Sequence, residues 1–243
     1  MIFPWTEIRL LRKALSLYAG NHVAERVTQL GDGAFSLSST RGNFVLMFID
    51  IAGFNEPWEP LTPGDLQAML NMWFEALSAC ISNHGGTLDT YVGDSMSAWW
   101  SIDGNTGDAD PAVKCGRAIV QAVARLNDDY KERAWPHLRV SVGIHAGPAR
   151  LGNYGSTQRI RYSVQGDAVN FASRLCGRAN QYGRPVLISE TARELLKHKT
   201  DLDYIETIRI KAVRVDEEYL AVRLQLPEDR RRVGADDAIE HCG

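Results

Sequence analysis

The chain has 243 residues, of which 44% are hydrophobic, and a formal net charge of −3 at pH 7. This length suits one domain with attachments or two small domains, and the slightly acidic balance argues against a general nucleic-acid-binding protein. The four cysteines form no Cys-x-x-Cys pair, which is typical of free thiols in a reducing cytosol. Because we find neither a membrane-spanning apolar run nor a signal peptide, we expect a cytoplasmic protein without nucleic-acid or membrane partners.

The first 43 residues predict an N-terminal helical element and a connector. Residues 5–30 have helical periodicity, with Ile8 and Leu11 on one apolar face and a break at Gly20-Asn21. This helix packs either on its own domain or on its twin in a dimer. A polar connector, rich in glycine and serine, follows as far as residue 43.

The main domain is predicted to cover residues 44–226, with a charged and disordered tail at 227–243. The predicted strands are 44–50, 87–92, 95–101, 138–145, 159–165, 185–188, 204–210 and 218–224. The predicted helices are 63–84, 110–127, 166–180 and 189–197. This order is typical of an α+β, ferredoxin-like (split β-α-β) fold, with an antiparallel sheet covered by helices on one side.

Two aspartates stand in distinctive settings. Asp50 ends an apolar strand and is followed closely by Gly53, whereas Asp94 follows Gly93 in a predicted hairpin turn. Taken singly, each is an ordinary turn residue. If the two strands are neighbours, the carboxylates converge on one sheet edge, an arrangement suited to hard divalent cations and nucleotide phosphates. Residues 52–55 add backbone N–H groups that can face an anion.

A third motif lies where a strand ends at Gly166 and a helix begins. Asn170 and Arg174 are four residues apart, so they share one helical face. That face is either a solvated polar surface or a pair of donors aimed at an anionic reacting group.

Together the motifs resemble the class III nucleotidyl (adenylate/guanylate) cyclase catalytic domain, over residues 44–224. The segments that carry the resemblance are Phe48-Ile-Asp50-Ile-Ala-Gly53-Phe54, Gly93-Asp94, Gly143-Ile-His145-Ala-Gly147 and Gly166-Asp-Ala-Val-Asn170-Phe-Ala-Ser-Arg174. The N-terminal helix also resembles the short element that precedes many bacterial members.

The resemblance implies a head-to-tail homodimer with two composite sites at its interface. One protomer is expected to bind two Mg²⁺ or Mn²⁺ ions through Asp50, Asp94 and the backbone carbonyl of Ile51, and the other to supply the catalytic Asn170 and Arg174. The ribose 3′-hydroxyl of a nucleoside triphosphate then attacks the α-phosphorus and pyrophosphate leaves. The substrate-binding residues implied are Gly53, Phe54, Asn55, Thr90, Arg139, Ser163 and Lys211.

The chain departs from the family at the base-recognition positions. Thr90 stands where adenylate cyclases typically have lysine, and Ser163 stands where they have aspartate or threonine; the pair typical of guanylate cyclases is absent as well. Hydroxyls can donate or accept hydrogen bonds, so this pair is permissive. Asn55 replaces the usual threonine or serine, and Ala212 replaces the glycine that usually follows the lysine at Lys211.

Several interpretations remain open. The favoured one is a pyrimidine cyclase, making cyclic UMP rather than cyclic CMP, similar to the small cyclases of the Pycsar anti-phage systems and signalling to a cyclic-nucleotide-binding effector. The alternatives are an adenylate cyclase with divergent base recognition, a catalytically inactive nucleotide-binding module, and a phosphotransferase of the related palm-like fold. The residue set Asp50, Asp94, Asn170 and Arg174 favours an active cyclase.

Overall fold

The computed structural model describes residues 4–54, 61–181 and 185–197, together with the backbone of strands 202–209 and 218–224. Two helices come first, α1 (Pro4–Ala19) and α2 (Asn21–Leu30), and Gly20 separates them as predicted. Most apolar side chains of α1 are exposed, whereas Leu15 is half-buried and the helix contacts α2. Packing on its own domain and pairing with a twin both stay predictions. The exposed residues are Trp5, Ile8, Leu10, Leu11, Leu17 and Tyr18.

The predicted connector is wrong in part, because it contains regular structure. A 3₁₀ helix covers Gly31–Phe35, and the first strand begins at Ser39 rather than at residue 44. The Asn153 side chain fixes this segment by donating hydrogen bonds to the carbonyls of Ala34 and Ser36, both at 2.7 Å. The division of the chain at residues 43 and 226 stays a prediction.

The rest of the described chain alternates strands with helices. The strands are β1 (Ser39–Ile51), β2 (Thr87–Val92), β3 (Ser95–Ile102), β4 (Val140–Gly155), β5 (Ile160–Gln165), β6 (Val186–Ser189), β7 (Leu202–Arg209) and β8 (Glu218–Leu224). The helices are α3 (Pro63–Asn83), α4 (Asp110–Glu132), α5 (Asp167–Gln181) and α6 (Glu190–Glu194). The α+β prediction is confirmed, since these elements form a sheet that is antiparallel except at the β4–β6 pair, with helices packed on it.

The described strands form one eight-stranded sheet in the order β2-β3-β1-β4-β6-β8-β7, with β5 paired to β4. β4 is antiparallel to β1 along the whole of β1. On its other edge, β4 pairs in parallel with β6 near its start and antiparallel with β5 at its end. The predicted end of this strand at residue 145 is therefore wrong, because pairing on both edges extends it to Gly155.

Two helices also differ in length from the prediction. α4 continues past residue 127 to Glu132, because Leu126 and Tyr130 keep its buried face in the core. α6 ends at Glu194, three residues before the predicted end, where the chain turns and the Leu195 carbonyl accepts a hydrogen bond from the backbone of Gly107.

The helices cover both faces of the sheet, so the expectation of one covered side is wrong. The larger apolar cluster lies between the sheet and α3, α4 and α6, and the smaller cluster lies under α5 on the opposite face. β1 explains this arrangement, because Val45 and Met47 face the first cluster while Phe44 and Leu46 face the second. A strand that is apolar on both faces needs cover on both faces.

Candidate active site

The structure brings Asp50 and Asp94 together at one edge of the sheet. Asp50 lies near the end of β1, and Asp94 lies in the turn between β2 and β3. Strand β3 pairs with β1, and this pairing brings the two residues together. The Ser95 hydroxyl donates a hydrogen bond to Asp50 Oδ1 at 2.7 Å, and the Ile51 backbone N–H donates to Asp94 Oδ2 at 3.2 Å. The Trp73 indole N–H of α3 donates to the Asp94 carbonyl at 3.2 Å. Neighbouring elements therefore hold both carboxylates in place.

Burial and the neighbouring Asp50 carboxylate together change the protonation of Asp94. Burial, followed by the hydrogen bond and the negative charge of Asp50, raises the pKa of Asp94 to about 6, although the Ile51 N–H opposes this shift. Like charges this close disfavour double ionisation, and a nearby cation removes that penalty. The donor set of the two carboxylates therefore fits a hard divalent cation.

Within the ranges that the structure describes, no group of three His, Cys, Asp or Glu side chains is placed to hold a metal ion. A cation bound by Asp50 and Asp94 would complete its shell with other oxygens, such as backbone carbonyls, water and substrate phosphates. The Ile51 carbonyl accepts a 3.3 Å hydrogen bond from the Phe54 N–H, and because a carbonyl oxygen has two lone pairs it can also bind a cation.

A tight turn follows the strand that carries Asp50. The Ala52 N–H donates to the Arg139 carbonyl at 2.8 Å, which ties this turn to the residue just before β4. Gly53 has φ +83°, a conformation that favours glycine, and Phe54 packs against the larger core. The Arg139 side chain is exposed beside this turn. Asn55, assigned from sequence to the same turn, lies outside the described residues.

α5 presents Asn170 and Arg174 on its exposed face. The helix lies close to the sheet because Gly143 of β4 has no side chain. A Cβ there would lie 2.3 Å from the Cys176 backbone nitrogen and 2.5 Å from the Ala172 carbonyl oxygen. Gly143 therefore fixes the height of α5 above the sheet.

Thr90 and Ser163 are connected through a residue that sequence reasoning missed. Asp89, beside Thr90, accepts hydrogen bonds on Oδ2 from the Ser163 hydroxyl at 2.9 Å and from Arg161 at 2.6 Å. These contacts link β2 to β5, which are far apart in strand order, so spacing along the chain gives no sign of them. Lys211 lies outside the residues that the structure describes.

Two other supporting residues were also missed. Ser95 directly follows Asp94 in the sequence, so its position at the start of β3 was the available signal. Trp73 gave no signal beyond helical periodicity, because its role depends on α3 packing against the β2–β3 turn.

Residues 37–222 match the family model described as "Adenylate and Guanylate cyclase catalytic domain". The chain is 35% identical over 150 residues to "Adenylate cyclase 1" of Rhizobium meliloti (strain 1021), a match that covers 61% of this chain and 23% of that protein. The adenylyl cyclase CyaB from P. aeruginosa superposes with a TM-score of 0.67 at 27% identity, covering 77% of this chain and 96% of that one. The guanylyl cyclase Cya2 superposes with a TM-score of 0.66 at 25% identity, covering 76% of this chain and 93% of that one.

The chain therefore belongs to the adenylate and guanylate cyclase catalytic domain family, as the motifs predicted. It spans less than a third of the length of the first curated relatives that it matches. None of the helices in the described part of the chain is long and apolar enough to cross a membrane.

Proposed function

We propose that this chain is a metal-dependent nucleotidyl cyclase that converts a ribonucleoside triphosphate to a 3′,5′-cyclic nucleotide and pyrophosphate. The observation that carries the proposal is the Asp50–Asp94 pair, held at the sheet edge by Ser95 and the Ile51 N–H. Membership of the cyclase family supports the same reaction.

The proposed site is composite and occurs twice in a homodimer. One protomer contributes Asp50, Asp94 and the Ile51 carbonyl, and the other contributes Asn170 and Arg174. Asn170 and Arg174 both lie on the exposed face of α5, and this exposure supports the division. Two Mg²⁺ or Mn²⁺ ions per site, when bound, supply positive charge to the triphosphate and to the attacking oxygen.

The reaction makes one bond and breaks one bond. The ribose 3′-oxygen bonds to the α-phosphorus, the bond from that phosphorus to the pyrophosphate oxygen breaks, and the hydroxyl proton passes to solvent. The Arg174 guanidinium donates hydrogen bonds to the α-phosphate as charge develops there. The Asn170 amide holds the ribose so that the 3′-oxygen is in line with the leaving group. Gly53, Phe54, Arg139 and Lys211 are proposed to bind the triphosphate.

Two substrate assignments have support. The sequence favours a pyrimidine, UTP before CTP, because Thr90 and Ser163 replace the purine-reading pair; a second messenger for anti-phage signalling through a cyclic-nucleotide-binding effector would then follow. ATP is the alternative, and the 35% identity to an adenylate cyclase supports it. Both assignments use the same metal and phosphate chemistry.

The test is turnover by the purified chain with Mn²⁺ and each of the four ribonucleoside triphosphates, with products identified by mass spectrometry. We expect a cyclic mononucleotide and pyrophosphate from at least one of them. Binding without turnover would support the inactive-module alternative instead.

Variants test the assignment of the carboxylates. Asp50→Asn or Asp94→Asn should reduce turnover by about 100-fold or more, because each removes charge from the proposed metal site. Asp129→Asn is the matched control, since Asp129 is an exposed carboxylate on α4. Full activity in either of the first two variants would contradict the assignment.

A further inference from the structure

The middle of β4 places one large ring between two glycines beneath α5. Gly143, His145 and Gly147 alternate along the strand, so they share one face of the sheet. The His145 imidazole lies 4.4 Å from the Phe171 ring, measured between ring centroids. A Cβ at Gly147 would lie 3.2 Å from the Ala168 Cβ. The imidazole therefore supports the N-terminal part of α5, where Ala168 and Phe171 lie.

A chain of hydrogen bonds holds this imidazole in place. His145 Nδ1 lies 2.9 Å from Ser189 Oγ and 3.3 Å from Thr191 Oγ1, and these two oxygens are 3.0 Å apart. The Thr191 hydroxyl gives its only proton to the Ala146 carbonyl at 2.7 Å, so the Ser189 hydroxyl donates to Thr191. His145 Nδ1–H then donates to Ser189, which also accepts from the Ala192 N–H at 3.2 Å. The opposite direction would leave the two hydroxyl oxygens in contact with no proton between them.

The imidazole is neutral, and its polarity needs an explanation beyond packing. His145 is 6% exposed, and burial lowers its pKa to about 4. A neutral imidazole carries one N–H, which the hydrogen bonds assign to Nδ1. An apolar ring of similar size would pack on Phe171 equally well. What the Nδ1–H adds is a fixed orientation of the ring relative to Ser189 at the end of β6.

We propose that His145 is a positioning residue for cyclisation, because its bond to Ser189 orients the ring that supports Phe171 and thereby fixes the turn of α5 that carries Asn170. This proposal rests on the cyclase function proposed above, in which the Asn170 amide holds the ribose. Asn170 directly precedes Phe171, so a shift of this turn moves the amide with it. A displacement of about 1 Å in such an element lowers turnover by about 100-fold.

An ordinary core role is the competing explanation for His145. Replacing a buried core residue lowers the stability of the whole domain, and any loss of turnover then adds to the loss caused by a second, distant change. A positioning role predicts a different pattern. If His145 acts through Asn170, its replacement should have little effect once the Asn170 amide has been removed.

The first experiment measures kcat and KM of the full chain with the nucleoside triphosphate that it turns over fastest. His145→Phe keeps a ring against Phe171 and removes the Nδ1–H, and we expect kcat to fall by about 10- to 100-fold with KM changed by less than about 2-fold. Tyr130→Phe is the matched control, since it also keeps a buried ring and removes one hydrogen bond, from the Tyr130 hydroxyl to the Met69 carbonyl. The control should lose stability and keep its kcat.

The second experiment repeats the change in two backgrounds. In Asn170→Ala, the added His145→Phe should lower kcat by less than about 2-fold, whereas in Arg174→Ala it should keep most of its effect. Equal further losses in both backgrounds would assign His145 to the core alone and overturn the proposal. If His145→Phe does not fold, Ser189→Ala breaks the same hydrogen bond from its other end and is tested in the same two backgrounds.

Failure of this proposal is distinguishable from failure of the cyclase function. Turnover by the unmodified chain together with an unchanged kcat in His145→Phe would overturn the positioning role and leave the cyclase function intact. If the unmodified chain has no turnover, the cyclase function fails, and amide hydrogen exchange over residues 166–173 tests the support of α5 by itself. Faster exchange there in His145→Phe than in Tyr130→Phe would support that role, and equal exchange would overturn it.

Discussion

Replacing Gly143 by alanine tests whether the position of α5 controls activity. The added Cβ would lie 2.3 Å from the Cys176 nitrogen and 2.5 Å from the Ala172 oxygen, and both are backbone atoms that cannot rotate away. Non-bonded atoms need roughly 3.5 Å, so α5 must move off the sheet by about 1 Å. Overpacking of this kind is unfavourable by about 1–3 kcal/mol. A displacement of about 1 Å in a positioning element lowers turnover by about 100-fold.

The assay combines the free energy of unfolding in urea with kcat at saturating substrate. We expect Gly143→Ala to be destabilised but folded, with kcat reduced by about 100-fold because Asn170 and Arg174 move with the helix. Gly177→Ala is the matched control on α5, since among the described residues no atom beyond the adjacent helix backbone lies within 4 Å of its added Cβ; it should keep full activity. Full activity and unchanged stability in Gly143→Ala would refute the reasoning about α5.

Two more predictions concern single side chains. Burial lowers the pKa of His145 to about 4 from its ordinary 6.5, so the unfolded chain binds the proton more readily than the folded one. About 3 kcal/mol of stability should therefore be present above pH 6.5 and lost progressively as the pH falls to 4. His145→Gln should remove that part of the urea-unfolding pH profile, and an unchanged profile would contradict the assignment. Arg174→Ala should lower kcat by about 1,000-fold. Arg178→Ala, one turn further along the exposed face of α5, is the control and should leave kcat unchanged. Equal losses of kcat in the two variants would show that the effect comes from the positive charge of α5 in general and not from a specific role of Arg174.

The strands and turn around the aspartates were predictable because their signals are local. An apolar run that ends at Asp50 and a Gly93-Asp94 turn between two strands identify the two carboxylates, and the pairing of β1 with β3 brings them together. Helical spacing likewise places Asn170 and Arg174 on one face of α5.

The second half of β4 was not predictable in the same way. Gly147, Pro148 and Gly152 interrupt it, and such residues usually indicate the end of a strand. The strand continues because β1 and β5 pair with its two edges, and both contacts are tertiary. The extension of β1 back to Ser39 has the same origin.

The surroundings of the base-recognition positions were only partly predictable from the sequence. The family resemblance identified Thr90 and Ser163 as base-recognition positions, but the hydrogen bonds that their hydroxyls make depend on partners in the folded chain. Asp89 sits where the pairing of β2 with β3 shifts register, and its contacts reach β5. An irregularity in strand pairing is set by the folded sheet, so the sequence pattern could not reveal it.

The composite site is tested most directly by combining two inactive variants in one dimer. Asp94→Asn and Arg174→Ala chains would be co-expressed with different affinity tags, and the mixed dimer purified through both tags. One of its two sites would carry both defects and the other would carry neither, so the account predicts about half the activity of the unmodified dimer. A mixed dimer as inactive as either parent, with its folding and dimerisation intact, would contradict the shared site.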